Sequence, residues 1–358
     1  MSDSTRCVAV VGYFASARSA EGDRKEFGGQ TAKCRMLGGW LQSLDGVAYV
    51  EVDTYRWKKN PLRLFSRIVR EAKRADVVLM ALSENGLRMI MPMLLRLRSH
   101  FGFKLGYVVI GGWVTRRCGE DSKFLRKLGE LDAIFAETTS MADTLRAQGL
   151  GNVHYVPNAK KLEVLAEPVE IDVSSRPLPV CVFSRVCREK GVTTAVEAVA
   201  RVNSERGEAA YFLDVYGPVA DDYREEFDRL VELHSDCVAY KGSVPSGESV
   251  GVLSRYLLLL LLPTRYYGEG FPGTIVDAFS AGVPVVTSDW QNARSIVEDG
   301  ETGLIYEFDD PEGAYATLGK CLDDPSGVCR MRQCCLEEST KYTPDKANEP
   351  IWDFIHQH

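Results

Sequence analysis

The sequence predicts an α/β fold made of two doubly wound parallel sheets. Apolar, strand-like runs alternate with amphipathic helical stretches along the whole of the 358-residue chain, as expected for parallel sheets covered by helices. The runs are continuously apolar, which is typical of strands buried on both faces. The proline-rich stretch LAEPVEIDVSSRPLP (Leu165–Pro179) interrupts this alternation and indicates a linker. We therefore predict an N-terminal domain over residues 1–165, a C-terminal domain over 166–343, and a terminal helical stretch over 344–358 that packs back on the first domain.

Each half of the chain contains six such apolar runs, and helical candidates lie between them. In the first half they are CVAVVG, VAYVEVD, DVVLMAL, LGYVVIGG, DAIFAET and VHYVP. In the second half they are PVCVFS, AYFLDVYG, CVAYKG, LLLLLLP, VPVVTS and GLIYEF. Ligands of doubly wound sheets bind at the carboxyl ends of the strands. The loops that follow these runs, in two domains facing across a cleft, are therefore where functional residues are expected.

Composition and cysteine spacing favour a soluble protein of a reducing compartment. Hydrophobic residues make up 45% and charged residues 26% of the chain, as in globular domains. The longest apolar run, Leu257–Leu262, is far shorter than the roughly 20 residues that cross a bilayer. The first segment lacks the pattern of a signal peptide. The ten cysteines contain no CxxC pair and are not grouped with the five histidines. We therefore expect reduced thiols, no zinc site and a cytoplasmic location.

Two short motifs are compatible with phosphate binding. In FGGQ, Gly28 and Gly29 would let backbone amides approach an anion where a helix begins. In SRVCREKG, Arg185 and Lys190 are two cations just after the run PVCVF, a combination suited to a diphosphate. Each motif taken alone is more typical of ordinary structure, a plain turn in the first case and a solvated helix start in the second.

The stretch YYGEGFPGTIVDAFSAGVPVV carries the most specific signal. Glu269 lies between Gly268 and Gly270, where no neighbouring side chain crowds it, just before a predicted helix. A capping-box-like pair of Thr274 with Asp277 would explain the second carboxylate locally, but it leaves Glu269 unexplained. The segment that leads into this helix also contains Pro272, and the amides of Phe271, Gly273 and Thr274 could face an anion.

This stretch resembles the E-x7-E motif of retaining GT-B glycosyltransferases of glycosyltransferase family 4. The resemblance implies that Glu269 binds hydroxyls of a donor sugar, that Asp277 binds the ribose, and that Arg185 and Lys190 grip the diphosphate. VYGP, with Gly217, and KGSVP, with Val244, resemble strand ends that line the nucleotide pocket of this family, and VPN and FGGQ resemble segments of its N-terminal domain. The sequence has Asp277 where the family has a second glutamate, and no histidine matches the family's N-terminal one. The subtype resembles bacterial exopolysaccharide or capsule enzymes.

The resemblance implies a retaining transferase that moves a hexose-type sugar from a nucleotide sugar to a glycan or polyprenyl-linked acceptor in cell-surface polysaccharide synthesis. It implies neither a cofactor nor a metal, because cations and amides stabilise the leaving diphosphate. A non-catalytic partner subunit is the alternative that Asp277 leaves open. A dinucleotide-binding oxidoreductase is less favoured, because VVGYFASARSAEG does not supply a GxGxxG.

Charge is distributed unevenly between the two halves. Residues 1–165 contain 26 Lys and Arg against 17 Asp and Glu, a formal charge of +9, whereas residues 166–358 carry −16. Residues 57–104 alone contain 11 basic and 3 acidic residues. A basic amphipathic helix in this segment could contact an anionic membrane surface or could be an ordinary covering helix. No nucleic-acid-binding motif accompanies the basic stretch.

Overall fold

A computed structural model of the chain, which describes residues 5–15, 29–266 and 269–357, divides it into two compact units. Unit 1 comprises residues 1–161 and 344–358, and unit 2 comprises residues 162–343. The division lies four residues before the boundary expected from the sequence, and the C-terminal stretch belongs to unit 1.

Unit 1 contains a six-stranded parallel sheet with strand order β2-β1-β3-β4-β5-β6. Its strands are β1 (Arg6–Gly12), β2 (Val47–Asp53), β3 (Val77–Ala81), β4 (Lys104–Val108), β5 (Ala133–Ala136) and β6 (Val153–Tyr155). Its helices are α1 (Gly29–Ser43), α2 (Pro61–Ala72), α3 (Glu84–Phe101), α4 (Trp113–Glu120), α5 (Ser122–Gly129), α6 (Thr139–Ala147), α13 (Pro344–Ala347) and α14 (Glu349–His356).

Unit 2 contains a second six-stranded parallel sheet, with strand order β12-β11-β10-β7-β8-β9. Its strands are β7 (Leu178–Phe183), β8 (Tyr211–Tyr216), β9 (Val238–Gly242), β10 (Leu258–Leu261), β11 (Val285–Ser288) and β12 (Gly303–Tyr306). Its helices are α7 (Val192–Arg206), α8 (Arg224–Leu233), α9 (Ser249–Leu253), α10 (Gly273–Ser280), α11 (Pro311–Asp323) and α12 (Pro325–Ser339). All twelve apolar runs identified in the sequence form strands.

The leucine run shows why these strands are continuously apolar. Successive side chains of a strand point to opposite faces of the sheet. Leu258 and Leu260 accordingly lie in the hydrophobic core on one face of unit 2, and Leu259 and Leu261 lie in the core on the other. Because helices cover both faces, no position along the strand is left for a polar residue.

The C-terminal helix α14 completes the core of unit 1. Ile351, Phe354 and Ile355 are buried with residues of β1 and β5, and the ring of Phe354 contacts that of Phe135 edge-on at 5.6 Å between centroids. The segment therefore packs on unit 1 through apolar contacts, although the preceding 182 residues belong to unit 2.

The proline-rich stretch expected to be a linker is irregular but is packed against unit 2. Leu165 donates its amide to the Ser280 carbonyl at 3.1 Å, and Ile171 and Val173 contact the core under α7 and α11. The buried guanidinium of Arg332 donates to the Val169 carbonyl at 3.1 Å. This stretch is consequently part of the surface of unit 2 rather than a detached tether.

Candidate functional site

The strand order of unit 2 places its crevice between two particular loops. The first strand, β7, is flanked by β8 on one side and β10 on the other, so the chain reverses its direction of winding there. In doubly wound sheets ligands bind at the carboxyl ends of the strands at this reversal. The loops that meet at this point are those following β7 (residues 184–191) and β10 (residues 262–272).

Gly191 allows these two loops to approach each other. It has a φ of 67° and precedes α7, and a Cβ at this position would lie 1.7 Å from the Leu262 carbonyl oxygen. Only glycine tolerates both the left-handed backbone and this distance. The short helical turn Arg188–Lys190 is thus held against the end of β10.

An ion pair joins the two loops at this point. The ammonium of Lys190 lies 2.6 Å from Oε1 of Glu269, and the two side chains are 19% and 16% exposed. The fully buried Asn292 donates its side-chain amide to the Glu269 carbonyl at 2.9 Å, which holds the backbone that carries the carboxylate. The structure therefore brings together two residues, 79 positions apart, that the sequence singled out separately. Asn292 was not anticipated, since nothing in the sequence marks an amide as the support of another loop.

The N-terminus of α10 lies at the same strand ends. The hydroxyl of Thr274 donates to the Phe183 carbonyl, the last residue of β7, at 2.5 Å. Phe271 is buried in the core beside the ring of Tyr342, and Gly270 and Pro272 are also buried. The helix begins at Gly273, as the sequence predicted, and such an N-terminus attracts anions.

Thr274 lies inside α10, because the helix begins at Gly273 with Pro272 at the N-cap position. Thr274 is therefore not the cap of this helix, and the capping-box interpretation of the pair is wrong. The Asp277 carboxylate is 3% exposed and accepts a hydrogen bond from the Ser249 hydroxyl of α9 at 3.1 Å. Its assignment to a ribose stays a prediction.

The cations of the loop after β7 differ in their contacts. Arg188 pairs with Glu226 at 2.6 Å and lies over the Tyr223 ring, so it braces α8. The side chain of Arg185 is exposed and makes no hydrogen bond or ion pair with the residues that the structure describes. The assignment of Arg185 and Lys190 to a diphosphate stays a prediction.

Gly217 and Val244 follow the next two strands, β8 and β9. A Cβ at Gly217, whose φ is 129°, would lie 1.8 Å from the Ser184 carbonyl, so glycine is required for the loops after β7 and β8 to touch. The Tyr240 hydroxyl donates to the Gly217 carbonyl at 2.9 Å. Val244 is half-buried. Their predicted contacts with a nucleotide remain predictions.

A tyrosine network beside these strand ends was not anticipated. The rings of Tyr216 and Phe183 lie 5.6 Å apart between centroids and are tilted by 41°. The Tyr216 hydroxyl lies 2.7 Å from that of Tyr256, which donates to Asp214 at 2.7 Å. Burial, followed by the hydrogen bonds with Tyr216 and Asp214, raises the pKa of Tyr256 far above its ordinary value. The Tyr256 hydroxyl therefore stays protonated at neutral pH.

At the strand ends of unit 1, Gly28 lies outside the described residues and Gly29 begins α1. A second ion pair, again unanticipated, lies four residues further along this helix. The Lys33 ammonium is 2.5 Å from Oε1 of Glu137 and 2.9 Å from the Val109 carbonyl, and both side chains are buried. The other carboxylate oxygen accepts from the Gly111 amide at 3.2 Å. The one sequence feature that could have indicated this pair is Glu137, a carboxylate directly after the buried strand AIFA.

Comparison with known proteins gives the fold class first. Two solved structures resemble the chain over 98% of its length and 99% of theirs: Anabaena Alr3699/HepE in complex with UDP (TM-score 0.73, 14% identity) and the lipopolysaccharide outer core galactosyltransferase WaaB in its apo form (TM-score 0.69, 15% identity). At these identities the likeness establishes the fold, and the predicted GT-B class of two Rossmann-like domains is confirmed.

Sequence comparison then finds a family model that matches most of the second unit. Residues 178–324 match the sequence model of the family described as Glycosyl transferases group 1. Among curated proteins, alpha-D-kanosaminyltransferase of Streptomyces kanamyceticus is 29% identical over 183 residues, which is 50% of this chain and 45% of that protein. The amylovoran biosynthesis glycosyltransferase AmsK of Erwinia amylovora is 27% identical over 159 residues, 42% of this chain and 36% of that one. The chain thus spans less than half the length of these relatives.

Proposed function

We propose that this protein is a retaining glycosyltransferase that transfers a hexose-type sugar from a nucleotide sugar to a glycan or lipid-linked acceptor. One observation carries the proposal: the family match covers both loops of the strand-order reversal in unit 2, where Lys190 and Glu269 meet. HepE structures in complex with UDP and with UDP-glucose support the choice of donor class. Relatives named for colanic acid and amylovoran biosynthesis support a role in cell-surface polysaccharide synthesis.

The roles follow from the chemistry of the side chains. Arg185 and Lys190 bind the diphosphate and offset the negative charge that grows on it as the glycosidic bond breaks. The amides at the start of α10 add favourable partial charge. Glu269 accepts hydrogen bonds from hydroxyls of the sugar, and Asp277 from the ribose. The acceptor attacks from the face that the diphosphate leaves, so that the anomeric configuration is retained.

A thermal-shift screen of UDP-, GDP- and ADP-hexoses tests the proposal, because a ligand that binds only the folded state raises the melting temperature. We expect one nucleotide series to raise it and slow hydrolysis of the corresponding sugar donor to follow. If no nucleotide sugar binds or is hydrolysed, the proposal fails.

The same roles make the reaction independent of divalent cations, since the protein supplies the positive charge. Donor hydrolysis should proceed unchanged in EDTA. Loss of activity in EDTA that a divalent ion restores would contradict this part of the proposal.

We also propose that unit 1 contacts an anionic membrane surface at the cytoplasmic face. None of the helices in the described ranges is long and apolar enough to span a membrane. The exposed surface around α2 carries the apolar side chains of Leu62, which is 80% exposed, and Val69. Around them lie exposed cations: Arg56, Lys58, Lys59, Arg63, Arg67, Arg70, Lys73 and Arg74. Such a mixture of apolar and basic side chains suits binding to anionic lipid. Each cation near the surface contributes about 1 kcal/mol to the binding free energy.

Charge reversal of Lys58, Lys59 and Arg63 to glutamate tests this surface by vesicle co-sedimentation at low salt. We expect the variant to lose binding to vesicles that contain phosphatidylglycerol. The matched control reverses three exposed cations of α5, Lys123, Arg126 and Lys127, and should retain most of the binding. Equal sedimentation of the wild type with neutral and anionic vesicles would contradict the membrane proposal.

A further inference from the structure

We propose that the Lys190–Glu269 ion pair makes unit 2 discriminate between an intact nucleotide sugar and the free nucleoside diphosphate that the reaction leaves behind. The inference rests on the proposed function and assigns a specificity role to the pairing itself. In this role Glu269 competes with the diphosphate for Lys190 whenever no sugar is present.

The degree of burial is what makes the competition effective. Both side chains are more than four-fifths buried, and their charged atoms lie 2.6 Å apart. A charge that is largely removed from water is costly to leave without a partner. A ligand that draws Lys190 away must therefore also satisfy the carboxylate of Glu269.

The two classes of ligand differ in this respect. A nucleoside diphosphate offers oxygens to Lys190, but its hydroxyls are those of the ribose, which the proposed function assigns to Asp277, so it brings no sugar hydroxyl to Glu269. A nucleotide sugar offers both, because its hydroxyls can donate to the carboxylate while its diphosphate accepts from the ammonium. The intact donor thus replaces each partner of the ion pair, whereas the product replaces one of them.

The surrounding contacts hold the backbone that carries each member of the ion pair. The Glu269 carbonyl is held by the buried Asn292. On the other side, the Lys190 amide donates to the Cys187 carbonyl at 3.2 Å, and Gly191 lies against the carbonyl of Leu262. When the sugar has been transferred, re-formation of the ion pair competes with the bound diphosphate and favours its release.

A neighbouring ion pair supplies a matched control. Glu189 and Arg265 join the same two loops at 3.0 Å, but their side chains are 43% and 69% exposed. Substituting Glu189 by glutamine removes one negative charge from the same region without freeing Lys190. It therefore separates the specific competition from a general change in electrostatic potential.

The experiment is isothermal titration of the wild type, Glu269→Gln and Glu189→Gln with UDP and UDP-glucose, and likewise with the GDP and ADP pairs. We expect Glu269→Gln to bind the nucleoside diphosphate about five- to tenfold more tightly than the wild type and to bind the sugar nucleotide no more tightly. Its melting temperature should fall slightly, because the substitution leaves Lys190 without a charged partner. Glu189→Gln should change the affinity for the diphosphate by less than about twofold.

Two results would overturn the inference while leaving the proposed function intact. One is a wild type that binds nucleotides and a Glu269→Gln variant whose affinity for the diphosphate is unchanged or weaker. The other is an equal gain in affinity from Glu189→Gln. A wild type that binds neither nucleotide in any of the three series would instead refute the proposed function.

Discussion

Each unit holds a lysine–glutamate ion pair at the carboxyl ends of its strands, and the two pairs differ mainly in their access to water. Lys33 and Glu137 in unit 1 are 6% and 5% exposed, and backbone groups of Val109 and Gly111 take up further hydrogen bonds of the pair. Lys190 and Glu269 in unit 2 are about three times as exposed. The same two functional groups are therefore enclosed in one unit and accessible in the other.

This difference separates an ion pair that organises the fold from one that can exchange partners. A fully enclosed pair has no route for an incoming ligand, and removing one member leaves a buried charge. A pair at the rim of a crevice can be opened by a ligand that offers equivalent contacts. Burial, rather than residue type, thus determines what each pair can do.

The largest effect is expected from breaking the enclosed pair. Substitution of Lys33 or Glu137 by alanine should lower the free energy of unfolding of unit 1 by about 3–5 kcal/mol, because one charge is left uncompensated. Urea denaturation followed by circular dichroism measures this loss. In the double variant Lys33→Met/Glu137→Leu neither charge remains, and this variant should recover most of the lost free energy of unfolding. A double variant as unstable as the singles would show that the pair itself supplies the stability.

The accessible pair should respond in activity more than in stability. Arg185→Ala and Lys190→Ala should each raise the barrier for donor cleavage by about 2–4 kcal/mol, the range for losing one preorganised charged donor. The free energy of unfolding should change by less than about 2 kcal/mol, since Arg185 is exposed and the Lys190–Glu269 pair is less enclosed than the pair in unit 1. Donor hydrolysis rates and urea midpoints check the two quantities. A loss of stability as large as that from Lys33→Ala would remove the distinction between the pairs.

The close approach of the two loops in unit 2 can be tested at Gly191. Gly191→Ala should lower the free energy of unfolding by more than about 2 kcal/mol, because the left-handed backbone is disfavoured and the new Cβ meets the Leu262 carbonyl. Gly207, at the other end of α7, has the same φ of 67° with nothing within 4 Å of an added Cβ. Gly207→Ala should therefore lower the free energy of unfolding only by the cost of the left-handed backbone, about 1–2 kcal/mol. Equal urea midpoints for the two variants would contradict the close approach.

The smallest effect is expected at the exposed pair of Glu189 and Arg265. Glu189→Gln should change the free energy of unfolding by less than about 1 kcal/mol, and by less still in high salt, because water and ions screen exposed charges. Thermal melts at low and high salt measure the change. A loss that persists undiminished at high salt would indicate that this pair is more enclosed than its exposure implies.

Much of the fold followed from local patterns in the sequence. The apolar runs marked every strand of both sheets, since a strand buried on both faces has no position for polar side chains. The start of α10 at Gly273 was also predicted from the sequence around Glu269. The structure of the stretch after Leu165 was predicted less completely. Its proline and serine content predicts an irregular backbone but does not reveal that the stretch packs on unit 2.

The chain's order of residues by itself determined which segments become strands and helices, and which loops carry charged groups, because these depend on neighbours a few positions away. Only the tertiary structure decided which of those groups meet. Lys190 reaches Glu269 because β7 and β10 are adjacent in the sheet, and Lys33 reaches Glu137 because α1 packs at the ends of β4 and β5. Such contacts join positions 79 and 104 residues apart, and strand order and packing, which no local pattern encodes, bring them together.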